Sequence, residues 1–127
     1  MRRALMLILF LSAFTFGCGL SADHVQQETA MGYMQRLNTV RQLVLSGQMD
    51  EAAREQAYVH ALWQHDAKWL NCLIDHHHTR DVNGALSSLA MALEQGWRTQ
   101  ALEALDEADD ALEEIAYSEQ PVWENVL

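Results

Sequence analysis

The 127-residue chain contains one proline, Pro121, so its first 120 positions hold no obligatory helix breaker. After Ser21 no stretch alternates apolar and polar residues over a strand's length; apolar residues instead recur at steps of three and four. The fold class expected is therefore all-α. A first helix is predicted from about His24 to Ser46, with Ala30, Tyr33, Leu37, Val40 and Val44 facing inward and Gly47 ending it. Asp50 is a candidate N-cap for a second, long helix reaching about His78, whose predicted core stripe is Tyr58, Leu62, His65, Trp69, Cys72 and His76. Residues 79–84 read as a kink or a break, with Asp81 or Asn83 able to cap the next helix. A third helix would bury Val82, Leu86, Leu89 and Leu93 and close at Gly96; a fourth, from Thr99 to Ala116, would bury Ala101, Leu105, Ala108, Leu112 and Ile115. Each of the two glycine junctions is an apolar helix end, a glycine, and an alanine five residues later (Gly47 and Ala52, Gly96 and Ala101). Short junctions make sequential helices antiparallel, so the expected architecture is an up-down bundle of about four helices.

Ahead of the bundle, Arg2 and Arg3 precede an uncharged run from Ala4 to Leu20. A basic start before an apolar stretch is an export signal, which divides the chain into a signal or anchor segment, 1–22, and an extracytoplasmic domain, 23–127. Three fates of the segment stay open. Retained as a helix, it would be about 25 Å long against a ~30 Å hydrocarbon core, with the arginines inside and the C-terminus outside. Small residues at −1 and −3 also permit cleavage after Gly19 or Ser21. Cys18 behind Gly17 permits lipidation, although Thr15 and Phe16 fit the usual lipoprotein signal poorly.

The exported part carries six basic and eighteen acidic side chains, a net charge of −12. That argues against nucleic acid or anionic lipid as a partner, because like charges repel, and suits a soluble acidic domain or one that meets a basic surface. Cys72 is alone in the domain and lies on the predicted stripe, where a buried thiol is expected.

Asp75, His76, His77 and His78, with Asp81 one turn further on, form the candidate metal-ligating segment. Consecutive helical side chains point about 100° apart, so three adjacent imidazoles cannot share one ion; the usable pairs are Asp75 with His78 and His77 with Asp81. Zinc would need further ligands from another helix, and histidines at a polar helix C-terminus are the simpler expectation. Met31, Met34, His65 and His76 could in principle ligate haem, but Cys-x-x-Cys-His is missing and no cofactor is expected. Glu103, Asp106, Glu107, Asp110, Glu113 and Glu114 read as the solvated side of the fourth helix rather than a calcium or glycosidase site. Trp69 is expected in the core and Trp63 on the surface as a partner anchor. Trp123 lies in an apolar tail, Pro121–Leu127, that either covers the end of the bundle or docks elsewhere.

The stretch from Ser46-Gly47 to Glu51-Ala52, then Trp63, Trp69-Leu70, Leu73-Ile74-Asp75-His76 and the terminal Glu124-Asn125-Val126-Leu127, resembles a family of small bacterial membrane-anchored helical proteins, domain of unknown function four-three-six-three. The resemblance implies an uncleaved anchor, a helical ectodomain, no enzyme activity and an accessory role beside an integral membrane protein. The Gly17-Cys18-Gly19 segment and the extra His77 and His78 depart from the family pattern. Residues and resemblance together point to a non-catalytic accessory or scaffold in the cell membrane that binds a membrane protein through Trp63, Trp123 and residues 75–78. An exported metal- or ligand-binding bundle using the histidines is the alternative.

Overall fold

A computed structural model describes residues 2–117, except the side chains of 19–23. Four helices account for almost all of the described residues: α1 (Arg2–Leu45), α2 (Met49–Leu70), α3 (His76–Gln95) and α4 (Arg98–Tyr117). Each packs against its chain neighbours, and α4 returns to α1, closing a ring of four. Facing residues run in opposite directions: Gln26 and Arg41 of α1 meet Ile115 and Asp106 of α4, and Gln56 and Trp63 of α2 meet Leu86 and Asn83 of α3. The expected antiparallel up-down bundle is what forms.

The glycine junctions have one geometry. Gly47 (φ 79°) and Gly96 (φ 72°) take the left-handed conformation. At the first, Gly47 N–H donates to Val44 O (3.1 Å) and Gln48 N–H to Leu43 O (2.9 Å); at the second, Gly96 N–H donates to Leu93 O (3.2 Å) and Trp97 N–H to Ala92 O (2.8 Å). This paired pattern satisfies the last carbonyls of a helix and turns the chain sharply. Ala52 and Ala101, just beyond, are fully buried where the helices approach.

The α2–α3 connection has no glycine and differs from expectation. Helix α2 stops at Leu70, not near His78, and α3 begins at His76. Asp75 adopts an extended conformation as N-cap, its carboxylate accepting from His77 N–H at 3.1 Å. The buried Thr79 hydroxyl donates to Asn71 Oδ1 (2.6 Å), tying the turn across its ends. A capping carboxylate competes effectively with helix continuation, and here it outweighs the periodicity that ran on through Cys72 and His76. Asp81 and Asn83 consequently lie inside α3 rather than at its start. Asp50 falls in the first turn of α2, whose N-cap is Gln48.

The predicted stripes of α1, α3 and α4 are all buried, but α2 turns a different face inward: Ala52, Gln56, Val59, Trp63, Ala67 and Leu70. Tyr58, His65 and Cys72 are exposed. Polar side chains fix the register between layers: Gln26 Nε2 donates to Ile115 O (2.7 Å), Gln56 Nε2 to Leu86 O (3.0 Å), and Arg41 spans Asp106 (2.9 Å) and Asp109 (3.0 Å).

Helix α1 is longer than the bundle. It packs from Gln26 onward, whereas Leu5 to Phe16 carry only exposed large apolar side chains. Among the described residues no helix is long and apolar enough to cross a membrane.

Candidate functional site

The five residues nominated as metal ligands do not converge. His77 Nε2 lies 3.5 Å from Asp81 Oδ2, while His78 turns to α4, its Nδ1 3.6 Å from Glu114 Oε2. The two rings are tilted at a centroid separation of 5.9 Å. Asp75 is engaged in the cap; the His77 N–H, and secondarily the neighbouring imidazoles, hold its carboxyl below the usual range. Among the described residues no three His, Cys, Asp or Glu side chains form a group able to hold a metal. The histidines also sit at the N-terminus of α3, not at the C-terminus of α2.

Trp63 is not a surface anchor. It is 0% exposed, the largest fully buried side chain among the described residues, and its indole Nε1 donates to Asn83 Oδ1 at 2.6 Å. Tyr33 packs edge-on against it (5.2 Å between centroids, 87° between planes). The Tyr33 hydroxyl donates to Asp66 Oδ2 (2.5 Å), and Trp69, half-buried, donates to Asp66 Oδ1 (3.3 Å). Burial, followed by the Asp66 carboxylate, pushes the Tyr33 phenol well above its ordinary value, so it remains a donor. This cluster joins α1, α2 and α3 and sets their register. Sequence reasoning missed it because the true α2 face contains Gln56 and two alanines, and so looks less apolar than the competing face with Tyr58, Leu62, Trp69 and Cys72. The recurrence of Ala52, Val59, Trp63, Ala67 and Leu70 at helical spacing on one face was the available signal. Cys72 is exposed, Cys18 is exposed on the apolar part of α1, and Trp123 lies outside the described residues.

A surface able to receive another molecule runs between α3 and α4. Two adjoining depressions, of about 360 and 460 Å³, share Ser88 and Glu107 and form one shallow groove. Gly84, Ala85, Ala92, Ala104 and Ala111 leave its floor low. At the end near the second glycine junction stand Met91, 61% exposed, and Trp97, 48% exposed. Glu103, Glu107, Asp110 and Glu114 line the α4 side, and Arg80 is the basic residue along it. Five carboxylates, with Asp81 of α3 as the fifth, beside two exposed apolar side chains can hold an elongated segment with cations at helical spacing and an apolar anchor at one end.

Residues 21–126 match the sequence model of a family described as Domain of unknown function (DUF4363). The chain belongs to this family. No curated protein and no solved structure matches it. The DUF4363 match begins at Ser21, so the apolar run 4–20 precedes it, while the α3–α4 groove and the Tyr33–Trp63–Asp66 cluster lie within it.

Proposed function

We propose that this DUF4363 protein is a membrane-anchored, extracytoplasmic accessory protein, with no catalytic role, whose α3–α4 groove holds a basic amphipathic segment of an integral membrane protein. The observation that carries the reading is the exposed apolar part of α1. Nine large side chains (Leu5, Met6, Leu7, Ile8, Leu9, Phe10, Leu11, Phe14 and Phe16) are each more than half exposed around the whole helix. Removing them from water is worth on the order of 10 kcal/mol or more. A helix apolar on all sides is stable inside a protein core or a bilayer, and the bundle offers it no core. Arg2 and Arg3 then favour retention of the N-terminus in the cytoplasm.

The groove supports the second half of the reading. Its carboxylates suit a partner bearing Lys or Arg at three- and four-residue steps, and Met91 and Trp97 suit a large apolar side chain on that partner. The test is photocrosslinking in the native cells from a reactive residue placed at Met91. One membrane protein should be captured, and charge reversal at Glu107 and Asp110 together should abolish capture without lowering the protein's level. Capture that is unchanged by the reversals, or that is equally efficient from exposed Arg54 on α2, would refute the groove as the contact.

A further inference from the structure

We propose that the α2–α3 turn, residues 71–75, rests in the headgroup layer of the bilayer that holds α1, with Leu73 as its apolar contact; this rests on the anchor reading above. The level at which the turn sits points there. Helices α1 and α2 are antiparallel, and Tyr33 is bonded to Asp66. Counting along both helices from that pair sets Leu70 beside residue 29 and the turn beside residues 24–28. The apolar run ends at Leu20, four to eight residues earlier, or about 6–12 Å along the axis. Headgroups extend roughly 5–7 Å beyond the hydrocarbon on each side. A run about 5 Å shorter than the hydrocarbon core is accommodated by drawing its flanks toward the membrane, which brings the turn into that layer.

The side chains suit the position. Leu73 stands 44% exposed, with Ile74 and Trp69 half-buried beside it. Trp69 keeps its indole N–H bonded to Asp66, an apolar face and a polar tip of the kind that settles at membrane interfaces. Exposed Lys68, His76 and His77 border the turn, and the Asp75 carboxylate is occupied by its cap. Because the domain as a whole is strongly acidic, the surface it fits is zwitterionic lipid rather than an anionic bilayer. Both glycine junctions lie at the far end of the bundle, some 35 Å away by the same helix count.

The full chain carrying Cys18→Ser, labelled at Cys72 with a polarity-sensitive fluorophore, tests this in phosphatidylcholine vesicles containing lipid with a nitroxide on its headgroup. A second protein, Cys18→Ser and Cys72→Ser with Gln95→Cys, carries the label at the far end. Loss of most emission at Cys72, with emission retained at position 95, is expected. Equal emission from both sites in protein that floats with the vesicles would overturn the inference and leave the anchor standing. Failure to float would overturn the anchor, and this inference with it.

Discussion

Truncating Trp63 to alanine separates a core residue from a docking residue. The side chain is fully buried, and replacing a buried tryptophan by alanine costs about 3–5 kcal/mol in transfer and cavity terms. The edge-on contact with Tyr33 lies within that figure at about 0.5–1.5 kcal/mol. The 2.6 Å bond to Asn83 adds little more, because Asn83 is exposed and water replaces the indole. Against a total stability of about 5–15 kcal/mol, the loss is large enough to unfold a sizeable fraction of the protein. Trp63→Phe keeps most of the volume and gives up the donor, so a loss of about 1–2 kcal/mol is expected. Urea unfolding of the full chain in non-ionic micelles, followed by far-ultraviolet circular dichroism, measures both. A Trp63→Ala unfolding free energy within about 0.5 kcal/mol of the wild type would refute the buried assignment and return Trp63 to the surface. Loss of a partner in this variant would otherwise report unfolding rather than a lost contact.

Gly96→Ala should destabilise by about 1–2 kcal/mol, since φ is positive there and open space around the site cannot relieve the strain; the shift in urea midpoint reads it. Asp75→Ala should weaken the α2–α3 turn while Asp75→Asn preserves its acceptor. Because the Asp75 pKa is lowered in the folded state, its contribution is present above the ordinary carboxyl range and lost as pH falls through the lowered value, so the wild type should lose its advantage over Asp75→Ala on acidification. Asp109 behaves oppositely: burial, outweighing the Arg41 contact, raises its pKa. Its charged form therefore opposes folding above the raised value, and that penalty is relieved as pH falls toward the unfolded value. Asp109→Asn lacks that charge, so it should be at least as stable as wild type at neutral pH, with Arg41 still paired to Asp106, and should not show the acid-side gain in a urea titration from about pH 7 to about pH 4.

The stripes of three helices and both glycine junctions could be read from sequence because each depends on one strong local signal: a run of branched aliphatic residues at helical spacing, or a glycine where φ must be positive. Helix α2 could not, since apolar residues occupy two of its faces and the choice between them is made by Tyr33 and Asn83 on other helices. The break at residues 71–75 was hidden for a related reason. Leu73 and Ile74 look like core residues, and only the carboxylate of Asp75 and the Asn71–Thr79 tie show that the chain has left the helix. The triple histidine attracted attention as a motif, yet its position at the start of α3 sends His77 and His78 to different carboxylates. The α3–α4 groove had no sequence signature. Its floor is made of Gly84 and four alanines, scattered over two helices, and it exists only because two such surfaces lie side by side.

The intact mass of the protein recovered from membrane and soluble fractions of its native cells bears most directly on the proposal that α1 is a retained anchor. A membrane-bound species whose mass includes the N-terminal segment from Arg2 onward is the expected result. A soluble chain beginning at Leu20 or Ala22, or a chain beginning at an acylated Cys18, would contradict it.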